Sequence, residues 1–184
     1  MRRKHFDEIS IAEIVKEART SVGNFYGRFG SKEALLDALH QRYQDDRNAL
    51  WNEFFAREGA KPSTLEERVG RFVRMIIENY RARTGVFRTL VIRQWRHPDS
   101  LDARNRQLLD DLYRKSAAFL LQCKSEIRHP KPARGVEIGV AAVLAACRES
   151  IVLRPNRMPA SLKVGDVALA EELSRMLVAY LQAG

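Results

Sequence analysis

Cysteine, histidine and long apolar runs are scarce in this sequence. Two cysteines and four histidines occur among 184 residues, and neither a CxxC nor an HExxH pattern is present. No stretch reaches the roughly 18 apolar residues that a membrane-spanning helix needs. These absences argue against a disulfide scaffold, a metal centre and a membrane protein. We therefore expect a globular protein of the reducing cytoplasm that carries no metal and no cofactor.

Catalytic motifs are also missing. The sequence contains no GxSxG pattern and no glycine-rich phosphate loop that follows a strand. Its histidines are widely scattered, and Cys147 with the nearby Glu149 has no histidine close in sequence to act as its base. We expect a binding protein rather than an enzyme.

Apolar residues recur at helical spacing along almost the whole chain, and no stretch shows sustained period-two alternation. This pattern predicts an all-α fold. The predicted helices cover residues 10–18, 22–29, 32–57, 64–83, 85–96, 101–128, 134–153 and 165–182. Turn-forming segments at 58–63 and 154–161 separate the longer helices.

The net charge of +9 suggests a nucleic-acid partner but does not locate it. Residues 1–60 hold ten basic and ten acidic side chains, whereas residues 61–184 hold 22 and 13. Within the first part, residues 1–32 alone carry a local excess of three positive charges. The overall charge is therefore poor evidence for where DNA would bind.

Residues 10–29 read as a helix, a three-residue turn and a second helix, the arrangement that places its second helix in the DNA major groove. At 100° per residue, one side of the second helix is apolar and is predicted to pack against the first helix; it comprises Val22, Phe25 and Phe29. The opposite side is predicted to face outward and comprises Gly23, Asn24, Gly27 and Arg28, with Tyr26 on the flank.

Gly23 and Gly27 are unexpected, because each glycine inside a helix costs about 1 kcal/mol relative to alanine. On an outward face, glycine would let bases or phosphates approach the backbone. The alternative is that both glycines fit a tight turn or a marginal helix. Lys32 is also unfavourable at a helix start unless a phosphate binds there, the alternative being a solvated lysine offset by Glu33.

The run FDEISIAEIVKEARTSVGNFYGRFGSKEALLDAL, residues 6–39, resembles the DNA-binding segment of TetR-family transcriptional regulators. The family's pattern falls on Ile11, Ala12, Ile14 and Ala18; on Thr20 and Ser21; on Gly23, Phe25, Tyr26 and Phe29; and on Ser31, Lys32 and Glu33. Beyond Arg42 only the series of amphipathic helices agrees with the family.

The resemblance implies a homodimeric repressor on a partly palindromic double-stranded operator, released by a small-molecule effector. It implies phosphate contacts from Thr20, Ser21, Tyr26 and Lys32, and base-edge contacts near Gly23, Asn24 and Arg28. Arg28 could pair with guanine and Asn24 with adenine.

We expect residues 1–42 to form the helix-turn-helix DNA-binding domain and residues 43–184 a helical effector-binding and dimerisation domain. The last two helices would form the dimer interface, with an ordinary internal pair as the alternative. A ligand cavity is expected among the middle helices; its aromatic walls would be Phe87, Trp95, Tyr113 and Phe119, although plain core is the alternative.

In the TetR family a full helix precedes the motif, whereas here only MRRKH stands before Phe6. We therefore expect the first helix of the DNA-binding unit to be missing from this chain. The alternative function is a dimeric helical ligand-binding or adaptor protein that no longer binds DNA. Salt-dependent DNA binding would separate the two.

Overall fold

The computed structural model describes residues 6–96, 103–153 and 164–184, in which helices and turns occur but no strand. The helices are α1 (Ile11–Glu17), α2 (Val22–Phe29), α3 (Lys32–Gly59), α4 (Leu65–Ala82), α5 (Thr84–Arg96), α6 (Ala103–Leu121), α7 (Pro132–Cys147) and α8 (Asp166–Gln182). The prediction of an all-α fold is confirmed. None of the helices in these ranges is long and apolar enough to cross a membrane.

Side-chain caps fix the first three helices. Ser10 forms a reciprocal capping box with Glu13 at the start of α1, and the Ser21 and Ser31 side chains cap α2 and α3. Gly30 ends α2 with φ +72°, a backbone region that glycine adopts at little cost. The boundaries predicted for these helices are confirmed to within two residues.

The core of the larger, C-terminal part is built around α4. Four apolar side chains at helical spacing along it are almost completely buried: Leu65, Val69, Phe72 and Ile76. They contribute to one cluster with buried side chains from α6, α7 and α8. Because apolar residues also extend around much of α4, this helix is enclosed by its neighbours.

The predicted helix 101–128 is wrong at its C-terminal end. Helix α6 ends at Leu121, and a short 3-10 turn, Lys124–Glu126, follows. The turn lets the Glu126 carboxylate accept a hydrogen bond from the Leu65 backbone N–H at 3.0 Å, which caps the start of α4. It also buries Ile127, so the chain exchanges helical hydrogen bonds for a cap and an apolar contact.

The predicted helix 134–153 is continuous, but its last part is not α-helical. After α7 the residues Arg148–Leu153 form a π-helical segment whose Ile151 and Val152 are buried. The Val152 carbonyl accepts a hydrogen bond from Arg88 Nε of α5 at 2.8 Å. The predicted irregular segment 154–161 lies outside the described residues.

Helix α3 connects the two parts of the molecule without a break. Its 28 residues extend about 42 Å at about 1.5 Å per residue. Its first turns lie beside α2, whereas Trp51 and Phe54, nearer its C-terminal end, belong to the large core. The domain boundary predicted between residues 42 and 43 falls inside this helix.

Candidate nucleic-acid interface

Four residues, 18–21, connect α1 to α2. Arg19 has φ +51°, which is uncommon for a residue with a side chain. The Thr20 backbone N–H then donates to the Val15 carbonyl at 2.9 Å and closes the turn. Helix α2 is thereby held against α1 with its N-terminus at the surface.

The two hydroxyl residues of the turn both contact Asn24. Ser21 Oγ accepts a hydrogen bond from the Asn24 backbone N–H at 3.1 Å, and Thr20 Oγ1 accepts from Asn24 Nδ2 at 3.4 Å. Because each hydroxyl acts here as an acceptor, its own hydrogen can still be donated to an external oxygen. The turn is therefore chemically suited to hold a phosphate.

The inward side of α2 rests mainly on Phe25, which is 3 % exposed. Its ring centroid lies 5.6 Å from that of the half-buried Phe29. The prediction that Val22 also packs inward was wrong, since this side chain is 47 % exposed. Val22 is the first residue of α2 and lies next to the turn, outside the surface that buries Phe25.

The outward side of α2 is open at both glycines. Among the described residues, a Cβ added at Gly23 would meet only Ser21 Oγ, at 3.9 Å, and one added at Gly27 would meet no atom within 4 Å. Neither glycine has a positive φ. Alanine would therefore fit at both positions, so neither packing nor backbone geometry within the chain requires glycine. The tight-turn alternative loses its support.

The remaining candidate contacts surround this open face. Asn24, Arg28 and Tyr26 are exposed, and Tyr26 retains 51 % of its accessible surface. The half-buried Lys32 begins α3 with its Nζ 4.8 Å from the centroid of the Phe6 ring. This cation–π contact limits where the ammonium group can lie.

A family model described as bacterial regulatory proteins, tetR family, matches residues 1–39. The N-terminal segment belongs to the tetR family. The match covers about a fifth of the chain, including α1, α2 and the start of α3. This match supports a DNA-binding transcriptional regulator. No curated protein and no solved structure matches the chain significantly.

Beyond the matched segment, a cavity of about 520 Å³ lies between α3 and the helices α4 to α7. Phe87 and Tyr113, two of the predicted wall residues, line it. The side chain of Trp95 lies outside the described part of the structure. Phe119 does not line the cavity; it is 2 % exposed and packs in the core against Phe54 and Phe55. It lies on the same side of α6 as Leu112 but about two turns further along the helix.

Three buried polar side chains of the cavity were not predicted from the sequence. Arg47, Trp51 and Asn79 all line it and are at most 5 % exposed. The Arg47 guanidinium lies 5.2 Å from the Tyr43 ring centroid and 4.7 Å from the Trp51 ring centroid. The spacing Tyr43, Arg47, Trp51 puts a cation between two aromatic rings on one face of α3, a signal that could have identified this wall.

Two phenols in the cavity wall remain protonated at neutral pH. Burial raises the pKa of Tyr43 above its ordinary value, against the opposing effect of the nearby Arg47 charge. Burial also raises the pKa of Tyr80, and the neighbouring Tyr43 adds to that effect. Both hydroxyls therefore remain neutral.

The last two helices, predicted as the dimer interface, pack against each other within one protomer. A Cβ on Gly139 of α7 would overlap the Leu177 side chain of α8, so this glycine permits their close approach. Their outer sides retain exposed apolar residues, with Ile138 at 46 %, Met176 at 45 % and Val167 at 74 % exposure. Among the described residues no group of three or more His, Cys, Asp or Glu side chains could hold a metal ion.

Proposed function

We propose that this regulator is a repressor that binds operator DNA through α2 and releases it when a small molecule occupies the cavity. The observation that carries the DNA-binding role of α2 is its outward face, where two glycines lie at positions that would accept alanine within the chain. Nothing in the described part of the protein prevents a side chain at these two positions. A partner outside the protein therefore explains why both are glycine. A DNA backbone or base edge at close approach is such a partner.

The proposed contacts follow from the chemistry of each side chain. Arg28 offers a bidentate donor pair for guanine and Asn24 a donor and an acceptor for adenine. Four residues can each donate a hydrogen bond to a phosphate oxygen: Thr20, Ser21, Tyr26 and Lys32. Gly23 and Gly27 leave room for the nucleic acid between these donors.

Residues 1–42 would act as the DNA-binding domain and residues 43–184 as the effector domain, with α3 carrying the signal between them. Asp37 of α3 and Arg93 of α5 both line the cavity and form an ion pair at 2.6 Å. A ligand that displaces this pair would change how α3 is held near its start. Because α2 packs beside that start, the recognition helix would move with it.

A dimer would form through the outer sides of α7 and α8. Ile138, Ala142 and Ala145 are spaced at i, i+4 and i+7 along α7 and are all exposed. Together with Met176 and Val167 they supply an apolar surface of the kind that association buries. A two-fold axis there would present two α2 helices to half-sites about 34 Å apart.

The test is binding of the full chain to DNA fragments from upstream of its own gene, at roughly 50 and 200 mM salt. A regulator with about 6–10 phosphate contacts loses roughly 10³–10⁵ in affinity over this range. We expect a footprint with two half-sites and this steep salt dependence. Arg28→Ala should weaken binding to the preferred fragment, and its matched control is Arg175→Ala, because Arg175 is an exposed arginine on α8, far along the chain from α2.

Weak binding that is equal on all fragments would contradict a specific operator. Absence of binding at low salt would instead favour the helical ligand-binding or adaptor protein. Gel filtration or light scattering of the same sample checks the dimer. A charge placed on the outer face of α7 by Ile138→Glu should then yield monomers and weaken operator binding, whereas an unchanged dimer would contradict the proposed interface.

A further inference from the structure

The cavity wall contains a buried arginine, Arg47, that has no carboxylate partner in the part of the chain that the structure describes. Arg47 is 5 % exposed, and its Nη2 donates to Asn105 Oδ1 at 3.1 Å. Its Nε has no hydrogen-bond partner, and no ion pair joins Arg47 to a carboxylate of the described residues. Buried charges in proteins are normally paired, because removal from water is costly for an ion. An anion in the cavity would supply the charge partner that Arg47 lacks.

A second unsatisfied donor lies beside the first. Trp51 is 3 % exposed, and its Nε1 has no partner although an indole N–H normally donates when buried. Its ring is in contact with the Arg47 guanidinium. Both residues line the cavity, so a guanidinium and an indole N–H without partners lie in the same part of its wall.

The charges around the cavity agree with an anionic occupant. The described lining includes Arg47, Arg93 and Arg148, and its one acidic side chain, Asp37, is already paired with Arg93. The phenols of Tyr43 and Tyr80 stay neutral because burial raises their pKa. An incoming carboxylate would thus meet donors and positive charge rather than repulsion.

Most of the rest of the wall is apolar or aromatic, and its other polar side chains are His40, Asn79 and Asn105. It includes Phe87, whose ring centroid is 4.9 Å from that of Tyr80, and the aliphatic side chains Ile76, Leu90, Leu109, Leu112 and Leu144. A volume of about 520 Å³ holds about 17 waters at roughly 30 Å³ each, which is the size range of small organic ligands. Asn79, 4 % exposed, adds an unpartnered acceptor, its Oδ1.

We propose that the effector is a small aromatic carboxylate, bound through its carboxylate to Arg47 Nε and Trp51 Nε1. The ring would fill the apolar part of the cavity, and a hydroxyl or N–H group on it would donate to Asn79. This inference rests on the proposed role of the cavity as the effector site. It adds the chemical class of the ligand, which follows from the unpaired donors.

The test uses the full chain without DNA and matched pairs of probes, benzoate with benzamide and 2-naphthoate with 2-naphthamide. Each pair shares its ring and differs in charge. We expect at least one acid to bind wild type by calorimetry at least about tenfold more tightly than its amide, as a charge-assisted pair of hydrogen bonds predicts. Binding of neither acid, or equal binding of acid and amide, would overturn the proposal.

Arg47→Met tests the assigned residue. It should abolish the preference for the acid while the amide binds as before. Arg114→Met is the control, since Arg114 is an exposed arginine on α6 that is not among the residues lining the cavity, and it should keep the preference. Preference for the acid that persists in Arg47→Met would overturn the assignment.

Thermal unfolding of the ligand-free variants separates a ligand-binding from a structural arginine. Removing an unpaired buried charge should raise the melting temperature. An arginine kept for its contacts with Asn105 and the two rings would lower it when removed, and a lower melting temperature would overturn the proposal. Arg47→Lys should fold like wild type and keep a weakened acid preference. An acid that binds but leaves the DNA complex intact would contradict ligand-controlled release and not the ligand class.

Discussion

The two ends of α3 lie in regions that differ in what they lack. Around α1 and α2 a small core formed by Phe6, Val15, Phe25 and Leu36 supports an exposed face with two missing side chains. Around the cavity a large core encloses buried polar groups with missing partners. The surface lacks side chains where DNA is proposed to approach, and the interior lacks hydrogen-bond partners where a ligand is proposed to bind.

The largest expected effect is the loss of packing in the smaller region, around α1 and α2, while the large core stays folded. Phe25→Ala removes the central side chain of its core and should cost about 3–5 kcal/mol. DNA binding should be lost because α2 no longer packs on α1, while most of the helical circular dichroism persists. Phe72→Ala is the counterpart in the large core and should lower the main unfolding transition.

A Phe25→Ala protein that still bound DNA with wild-type affinity would show that α2 does not depend on this core. Loss of all helical signal would show instead that the two regions unfold as one unit.

The next largest effect distinguishes a side chain that contacts bases, Arg28, from those that contact phosphates. Arg28→Ala should lose about 1–3 kcal/mol on the preferred operator and much less on other sequences, because a bidentate pair with one base is removed. Selection of binding sites from random DNA measures this. An equal loss on every sequence would remove Arg28 from the base-contacting set.

Removing a phosphate contact should lower the affinity for all DNA sequences by the same factor. Lys32→Ala should weaken binding to all sequences alike and reduce the slope of log affinity against log salt by about 1. Tyr26→Phe should also act on all sequences but leave the slope unchanged, because it removes a hydrogen bond and no charge. Anisotropy titrations at several salt concentrations check both variants. A change of sequence preference in either would contradict these roles.

The smallest expected effect belongs to the large region. Hydrogen bonds from Lys61 and Arg57 hold the pKa of the Glu58 carboxyl below its usual value of 4.5. Because the folded pKa lies below the unfolded one, the stabilisation is present above about pH 4.5 and is lost as the pH falls through the folded value. The free energy of unfolding, measured by chemical denaturation, should therefore fall less between pH 7 and pH 3 for Glu58→Gln than for wild type. An equal difference would contradict this linkage.

Sequence predicted the surface region well because its signals are local. The turn and the helical faces depend on residues within a few positions of one another, and the bounds of α1, α2 and α3 agree with the prediction to within two residues. Val22 is exposed although the helical pattern places it on the apolar side of α2. Helical periodicity predicts the direction of a side chain but not whether α1 extends far enough to cover it.

The interior region was predicted less well because its signals join distant residues. The end of α6 depends on Glu126 capping Leu65, which is 61 residues away. The cavity wall combines Arg47 of α3 with Asn79 of α4, and a buried arginine cannot be told from a solvated one by its neighbours in sequence. Phe119 shows the reverse error, since aromatic content alone does not separate a cavity wall from core.

Gly27→Ala, measured for both stability and operator affinity, tests most directly whether the open face of α2 meets DNA. Without DNA, alanine should stabilise the protein by up to about 1 kcal/mol, because it favours the helix and meets no described atom within 4 Å. Gly59→Ala at the far end of α3 is the control, expected to leave DNA binding unchanged. We predict that Gly27→Ala raises the melting temperature and weakens operator binding at once. Unchanged or tighter binding by the stabilised variant would contradict the claim that the open face of α2 meets DNA.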